Sequence, residues 1–316
     1  MKLYVLKRLF VLIPVLFVVS TVVFLIIHLS PGDPASAMLG DNVTKEQVDE
    51  LRQELGLNLP LYQQYFNWLF GVLQGDLGNS LFMKQPVMGA IIGHLGPTIS
   101  LSILGLLLAM VIGIPVGIIA AKRRGSAADQ SLMGLSYLGI SVPNFLVSLF
   151  LMLLFAVTLK WLPVAGFKPL SEGLWNHLQY LIMPTIALGM FHAALIARMT
   201  RSSMLEVLNS AFIKAARSKG VKERQVVYKH ALRNAFLPIL TVIGQSFGGL
   251  VAGTIVVETI FGIPGIGQLV INSIAHRDFP MIQGVVLFVT VSYVFINLTV
   301  DLLYGVIDPR VRLNHK

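Results

Sequence analysis

The sequence predicts an all-α polytopic membrane protein with six transmembrane helices. Of the 316 residues, 55% are hydrophobic and 12% are charged, whereas soluble domains carry about 25% charged residues. Apolar runs of about 20 residues recur along the chain, and this is the length that a helix needs to cross a hydrocarbon core of ~30 Å. Basic residues are concentrated on alternate connecting segments. Together these features exclude an ordinary soluble domain.

Six apolar runs are long enough to span a bilayer. The third run is longer than a span requires, and a break is expected at Ser141-Val142-Pro143-Asn144 because proline interrupts helical hydrogen bonding. The first run follows basic residues, as the core of a signal peptide does, but it exceeds the about 7–15 residues of such a core, so we interpret it as an uncleaved anchor. The predicted spans are Phe10–Leu29, Thr98–Ala121, Leu132–Leu159, Leu178–Ile196, Phe236–Val257 and Val285–Leu303.

The distribution of Lys and Arg predicts that both termini lie on the cytoplasmic side. With this N-in, C-in orientation, 18 of the 24 Lys and Arg residues fall on inner segments and six fall on outer segments. Short cytoplasmic loops of membrane proteins carry such an excess of positive charge. The net charge of +9 is therefore explained by topology, and no nucleic-acid partner is expected.

The first outer segment, from Ser30 to Leu95, is too long for a connection without structure of its own. We predict a polar helix over Lys45–Leu55 that is capped by Thr44. An aromatic-rich helix over Leu61–Leu73 is expected to lie in the headgroup region or to pack on other spans. The segment Gly75-Asp76-Leu77-Gly78 then predicts a turn. This outer segment is either a solvated cap or a docking surface for an external partner.

The longest inner segment, from Arg198 to Arg233, is predicted to form a folded knob. Ser202 or Ser203 is expected to cap a new helix, and a further helical stretch covers Ala211–Lys219. Gly220 suits the position after a helix end, where a left-handed conformation reverses the chain. A second helix then runs into the fifth span. Small alanines among basic residues favour a protein partner; the alternative is a surface helix held by anionic lipid, where each basic residue contributes about 1 kcal/mol.

Several short segments, in this loop and elsewhere, carry a resemblance to a known family. The loop reads Ala215-Ala216-Arg217-Ser218-Lys219-Gly220 and resembles the EAA loop of ABC-importer permeases. Lys214 stands where the motif has an acidic residue, and Leu237-Pro238 lies farther from Gly220 than the general pattern places it; both departures are familiar in the peptide-permease branch. Other segments that match this branch are Arg198-Met199-Thr200-Arg201-Ser202-Ser203-Met204, His230-Ala231-Leu232-Arg233-Asn234-Ala235, Pro264-Gly265-Ile266-Gly267, Pro31-Gly32-Asp33-Pro34, the Gly75–Gly78 turn and Asp308-Pro309-Arg310.

The resemblance runs from end to end, and it implies the first of two paired permeases in a dipeptide, oligopeptide or nickel importer of the bacterial cytoplasmic membrane. Residues 1–95 would form an anchor helix with an extracytoplasmic segment, and residues 96–316 the permease domain. The implied partners are a second homologous permease, two ATPase subunits, an extracytoplasmic substrate-binding protein and membrane lipid. ATP and Mg²⁺ would be bound by the ATPases, so no cofactor is expected in this chain.

The resemblance also implies which residues couple transport to the ATPases, but it leaves the substrate open. Peptides are the favoured substrate, and glutathione or a nickel or other metal chelate is the alternative. The expected coupling residues are Phe212, Ile213, Lys214, Ala215, Ala216, Arg217, Lys219 and Gly220.

Two carboxylates are weaker candidates for the transport path or a gate. Asp301 lies within the sixth apolar run. Burying its carboxylate at the centre of the membrane would cost about 2.5–3.5 kcal/mol, so a partner is expected. The candidates for a structural ion pair with Asp301 are Arg198 and Arg201. Glu258 follows the fifth span, and a plain outer loop is the favoured interpretation there. An ion-driven carrier would need more such intramembrane groups and paired broken helices, which makes it the less favoured alternative.

Other patterns argue against metal binding, catalysis and ATP hydrolysis by this chain. The sequence has no cysteine, and its seven histidines lack metal-ligand spacing, so neither a metal site nor thiolate catalysis is expected. No G-x-x-x-x-G-K-[ST] phosphate loop is present, and we therefore predict a transport subunit rather than an enzyme. Two glycine pairs, Gly249 with Gly253 and Gly134 with Gly139, are predicted to allow tight helix packing.

Overall fold

The computed structural model describes residues 2–29, 33–39 and 44–307. Sequence features at residues 31–32 and 308–310 lie outside these ranges, and the side chain of Asp301 is outside the described residues as well. The chain forms two compact units. Among the described residues, the larger unit contains residues 99–263 and 295–307, and the smaller unit contains residues of the ranges 2–98 and 264–294. Because these units group contacting residues rather than sequence segments, the division at residue 95 stays a prediction.

The described chain is helical except for loops and one short hairpin. Its first elements are α1 (Lys2–Leu29), α2 (Pro34–Leu39), α3 (Lys45–Glu54), α4 (Leu61–Leu73), β1 (Asn79–Ser80), β2 (Gln85–Pro86) and α5 (Val87–Lys122). Next come α6 (Ala127–Ser141), α7 (Asn144–Leu151), a π-helical segment Met152–Thr158, a 3-10 turn Leu170–Glu172 and α8 (Leu174–Leu208). The remaining elements are α9 (Ala211–Ser218), α10 (Glu223–Gln225), a π-helical segment Val226–Ala231, α11 (Leu232–Gly253), α12 (Ile255–Ile260), α13 (Ile266–Ala275) and α14 (Phe279–Ile307).

The apolar helices confirm an all-α multi-pass membrane protein. Within residues 2–29, 33–39 and 44–307, five helical segments are long and apolar enough to cross a bilayer, and the number is six if α6 and α7 together form one span. That pair is bent by 96°. The break falls at Val142 and Pro143, as predicted, because Pro143 has no N–H to continue the hydrogen bonds of α6. The count of six spans and the N-in, C-in orientation stay predictions.

The fifth predicted span, Phe236–Val257, differs from the observed helix at both ends. The helical segment begins earlier, at Glu223, and passes through a π-helical turn before α11. It ends at Gly253, after which Thr254 separates it from the short α12. The polar residues before Phe236 therefore extend the helix beyond the apolar run, which hydropathy alone does not reveal.

The polar helix α3 starts as predicted, at a cap formed by Thr44. The Thr44 hydroxyl accepts a hydrogen bond from the Gln47 N–H at 3.4 Å, and the Gln47 amide oxygen accepts one from the Thr44 N–H at 3.0 Å. Such a reciprocal capping box satisfies two backbone donors that a helix start otherwise leaves unpaired. The backbone N–H of Glu46 and the Thr44 hydroxyl also lower the pKa of Glu46.

The aromatic helix α4 packs on α1, which is one of its two predicted placements. The Tyr65 ring meets the Phe24 ring edge-on, with centroids 5.3 Å apart, and the Trp68 and Phe24 centroids are 5.8 Å apart. The Tyr65 hydroxyl lies 2.9 Å from the Ser20 hydroxyl. Buried tyrosine hydroxyls usually find such a partner. The first apolar helix therefore packs against a helix from the segment that connects it to α5.

A short hairpin, which sequence patterns did not predict, follows the turn at Gly75–Gly78. Its strands β1 and β2 pair in antiparallel register, with Ser80 opposite Gln85. Asp278, which is 3% exposed, accepts hydrogen bonds from the Ser80 hydroxyl and from the Phe82 and Met281 N–H groups. This buried carboxylate fixes the hairpin to the start of α14, because each partner would otherwise be left unsatisfied.

Within the larger unit, α5 and α8 approach closely at glycines. A Cβ atom at Gly117 would lie 2.5 Å from the Thr200 Cβ, and one at Gly113 would lie 2.7 Å from the Ala193 carbonyl oxygen. Of the predicted packing glycines, Gly139 and Gly249 contact α8: a Cβ atom would lie 3.4 Å from the Ala194 Cβ at Gly139 and 3.7 Å from a ring carbon of His192 at Gly249. In the described chain, Gly134 and Gly253 have no atom of another element within 4 Å of such a Cβ. One glycine of each predicted pair therefore packs on a neighbour, but the closest approach lies at Gly113 and Gly117, since spacing within one helix does not show which face meets a neighbour.

Replacing Gly117 with alanine is expected to lower the melting temperature of the detergent-purified protein. The added methyl group would force α5 and α8 apart, and overpacking of this kind costs about 1–3 kcal/mol. Gly93→Ala is the matched control in the same helix, because no described atom of another element lies within 4 Å of its Cβ position. The control is expected to be neutral or slightly stabilising, since alanine is the better helix former. Equal melting temperatures for the two variants would contradict the close approach.

Candidate functional site

The candidate site is the segment that links α8 to α11, and it begins later than predicted. Helix α8 continues through Ser202 and Ser203 and ends at Leu208, so the prediction that one of these serines caps a new helix was wrong. Ser203 is buried within α8. The new helix instead follows Ser210, whose extended backbone has φ −69° and ψ 154°. The membrane helix therefore projects unbroken into the loop.

Helix α9 is anchored by a single large side chain. Ile213 is 0% exposed and belongs to an apolar cluster with Met204 from α8 and with Val226 and Val227 from the π-helical segment. Burying a full isoleucine side chain contributes about 1.5–3 kcal/mol. Since α9 has only 8 residues, it would not be stable alone, and this contact fixes its position.

The other side of α9 presents small and basic groups. Ala215 and Lys214 are exposed, Phe212 is 48% exposed, and Ala216 is partly buried. The structure thus brings four of the eight predicted coupling residues onto one accessible surface, which we call the α9 surface: Phe212, Lys214, Ala215 and Ala216. Ile213 does not belong to it, because its side chain points into the protein.

Gly220 reverses the chain after α9, as predicted. Its φ of +75° lies in the left-handed region, which glycine adopts without steric cost. The Gly220 N–H donates to the Arg217 carbonyl oxygen at 2.9 Å, and the Val221 N–H donates to the Ala216 carbonyl oxygen at 3.2 Å. These two bonds are those of a Schellman motif, and they satisfy carbonyl groups at the helix end.

An ion pair spans the same turn. The Arg217 guanidinium donates two hydrogen bonds to the Glu223 carboxylate, at 3.1 and 2.8 Å. The bond to Glu223 raises the pKa of Arg217, although partial burial opposes the rise. Because both side chains are about half exposed, the pair contributes about 0.2–1 kcal/mol. Its effect is to hold α9 in a fixed direction from α10. Lys219 and Gly220 lie exposed beside it.

A buried ion pair links α6 to the part of α8 that precedes the loop. Arg201 donates to Asp129 through Nε at 2.6 Å and through a terminal nitrogen at 2.8 Å, and the Gly125 N–H donates to the same carboxylate at 2.9 Å. Asp129 is 3% exposed. Sequence reasoning missed Asp129, which lies just before the third predicted run. Arg201 thus has Asp129 as a partner. The suggested pairing of Asp301 with Arg198 or Arg201 involves a side chain outside the described residues, so it stays a prediction.

The ion pair borders an open cleft of about 800 Å³ in the larger unit. Arg198, the other candidate partner of Asp301, lies in this cleft with its guanidinium carbon 5.0 Å from the centre of the Tyr137 ring. We call this open cleft the Arg198 cleft. Its lining residues are Asp129, Gln130, Met133, Gly134, Tyr137, Leu195, Arg198, Met199, Arg201, Ser202, Val242 and Gln245.

Glu258 does not lie in an exposed loop, and that interpretation was wrong. It is 0% exposed within α12, and the Thr254 hydroxyl donates a hydrogen bond to its carboxylate at 2.7 Å. A buried carboxylate requires such partners. A role of Glu258 or Asp301 in a gate or path stays a prediction. Among the residues that the structure describes, no group of three or more His, Asp or Glu side chains is placed to hold a metal ion.

The sequence is similar to transport proteins over nearly its whole length. Residues 113–313 match the family model of binding-protein-dependent transport system inner membrane components, and residues 1–102 match the model of the N-terminal part of such membrane components. A probable peptide ABC transporter permease protein of Sinorhizobium fredii is 43% identical over 312 residues, which cover 99% of this chain and 100% of that protein. A putative peptide transport system permease protein of Brucella abortus is 44% identical over 98% of each chain.

One further relative is named for glutathione instead of peptides, and one solved structure is similar in fold. A glutathione transport system permease protein of Shigella flexneri is 42% identical over 98% of each chain. A chain of the MetNI methionine ABC transporter in an inward-facing conformation superposes with a TM-score of 0.59 at 18% identity, covering 70% of this chain and 97% of that chain. This second likeness concerns the fold alone.

Proposed function

The chain belongs to the family of binding-protein-dependent transport system inner membrane components, and from this premise we propose that it is the peptide-translocating permease subunit of an ATP-driven importer. It forms half of the path, as the first of two paired permeases. Two ATPase subunits bind on the cytoplasmic side, an extracytoplasmic binding protein delivers the substrate, and membrane lipid surrounds the helices. ATP and Mg²⁺ bind to the ATPases, and this chain acts without a cofactor or enzymatic activity of its own.

The α9 surface is the observation that carries this proposal. Helix α9 combines this exposed surface, which includes Phe212, Lys214 and Ala215, with a rigid attachment to the protein through Ile213. A helix that transmits force between two proteins needs both properties: a face that a partner can contact, and a stiff connection to the element that moves. Displacement of α9 by the ATPases would move α8 and α11, which is coupling of two sites through one rigid element.

Peptides are the proposed substrate because relatives at 43 and 44% identity are named peptide permeases. Glutathione is the second candidate, since a relative at 42% identity is named a glutathione permease. Glutathione is itself a tripeptide-like molecule with free carboxylates, so the two candidates share the chemistry that the path must accommodate.

The proposal is tested by adding charge to the α9 surface. Ala215→Arg is expected to reduce ATP-dependent uptake of a labelled dipeptide by at least about tenfold in vesicles that contain the complete transporter, because an exposed alanine in a close interface leaves no room for arginine. The amount of protein in the membrane is expected to stay unchanged, since Ala215 is exposed.

Ala127→Arg is the matched control, because Ala127 is also an exposed alanine but lies in the first turn of α6, outside α9. Its uptake is expected to equal that of the unmodified protein. Normal uptake by Ala215→Arg would contradict the coupling role. Accumulation of dipeptide by the purified chain without ATPase subunits would contradict the proposed function as a whole.

A further inference from the structure

Among the residues that the structure describes, the Arg198 cleft carries one positive charge that no carboxylate neutralises. Both carboxylate oxygens of Asp129 are engaged by Arg201, so this pair has no net charge. Of the described lining residues, Arg198 is the other charged group. No described carboxylate forms an ion pair with Arg198, and its guanidinium carbon lies 5.0 Å from the centre of the Tyr137 ring.

The contact with Tyr137 orients the Arg198 guanidinium. Stacking of a guanidinium over an aromatic face is attractive, and it leaves the N–H donors at the edge of the plane available. Those donors match the two oxygens of a carboxylate in a bidentate arrangement. The side chain is exposed to the cleft rather than buried, so a ligand in the cleft has access to it.

The size and lining of the cleft suit a short peptide. Its volume of about 800 Å³ lies within the range of about 300–1,000 Å³ that small-molecule sites occupy. Gln130, Gln245 and Ser202 line it and supply hydrogen-bonding groups of the kind that pair with peptide bonds. Met133, Leu195 and Val242 provide apolar surface for side chains.

We propose that the Arg198 cleft binds the C-terminal carboxylate of the transported peptide, with Arg198 as the residue that contacts it. This inference rests on the proposed function and adds a substrate contact to it. A phospholipid is the less suitable occupant, because three of the lining side chains, Gln130, Ser202 and Gln245, carry amide or hydroxyl groups that an acyl chain would leave without hydrogen-bond partners.

Direct binding to the detergent-solubilised full-length chain tests the inference. Dialanine is expected to bind at least about tenfold more tightly than dialanine C-terminal amide, because only the former offers a charge-assisted hydrogen-bond acceptor to Arg198. Arg198→Gln is expected to abolish this difference, and Arg198→Lys to retain part of it. Lys45→Gln, which removes one exposed positive charge from α3, is expected to bind both probes as the unmodified chain does.

A second variant tests the same contact without removing the arginine. Ser202 lies one helical turn after Arg198 in α8, so the carboxylate in Ser202→Asp is placed to pair with the guanidinium. This variant is also expected to lose the preference for dialanine. Equal binding of the two probes to the unmodified chain, or a preference retained in both variants, would overturn the inference. So would loss of dialanine binding when the detergent is replaced by nanodiscs rich in phosphatidylglycerol, which would identify lipid as the occupant.

The outcomes separate this inference from the proposed function. If the binding preference is absent while Ala215→Arg still reduces ATP-dependent uptake as expected, only the carboxylate site is wrong. If uptake is independent of the α9 surface and of ATPase subunits, the proposed function is wrong whatever the cleft binds.

Discussion

Replacing Asp129 with alanine is expected to lower the free energy of unfolding by about 3 kcal/mol, the lower end of the cost of breaking a buried ion pair. The substitution leaves Arg201 without its two hydrogen bonds and the Gly125 N–H without its acceptor. The lower end applies because the Arg201 side chain keeps 28% exposure and so regains some contact with water. Thermal or denaturant unfolding of the purified protein measures the change.

Asp49→Ala is the control for this prediction, because Asp49 pairs with Arg52 at the surface, where its side chain is 68% exposed. It is expected to change stability by less than about 0.5 kcal/mol. The double variant Asp129→Leu with Arg201→Met is expected to recover much of the loss, since neither charge is then buried alone. A single Asp129→Ala variant as stable as Asp49→Ala would show that the pair contributes little.

Replacing Ile213 with aspartate is expected to abolish uptake altogether. A carboxylate at this fully buried position would lie among apolar side chains without a partner, which costs several kcal/mol, so α9 would detach from α8 and from the π-helical segment. The transmembrane helices are expected to remain folded, because α9 is a separate short helix. Limited proteolysis of inverted vesicles, with cleavage near Gly220, measures the detachment.

Phe212→Ala is the matched control next to Ile213. Its side chain is 48% exposed, so this variant is expected to keep the protease resistance of the loop while weakening association with the ATPase subunits. The two variants thereby distinguish the effect of losing the anchor of α9 from the effect of losing part of its contact surface. Protease resistance in Ile213→Asp equal to that of the unmodified chain would contradict the anchoring role.

Features set by local chemistry were predicted correctly from the sequence. The Thr44 cap, the break at Pro143 and the left-handed Gly220 each depend on the properties of a few consecutive residues. The apolar helices follow from run length for the same reason. Each of these sequence patterns determines the backbone conformation of the residues in which it occurs, so no knowledge of distant contacts is needed.

Features set by contacts between distant segments were not predicted. The Asp129–Arg201 pair joins residues 72 positions apart, and hydropathy gave no reason to connect them. Ile213 was included among the coupling residues because the resemblance to the EAA loop covers this stretch of sequence as a whole, although the Ile213 side chain packs inward. Ser202 and Ser203 have the chemistry of helix caps, but the packing of α8 overrides that local preference.

The unbroken length of α8 sets how far a movement at the loop is felt inside the membrane. The helix has 35 residues with Pro184 inside it, and at 1.5 Å per residue the arm from Pro184 to Leu208 is roughly 36 Å long. If the proline acts as the pivot, a push of about 3 Å at Leu208 tilts this arm by roughly 5°. All parts of this arm rotate by the same angle, so the displacement of each residue decreases steadily from Leu208 towards Pro184 and is zero at the pivot.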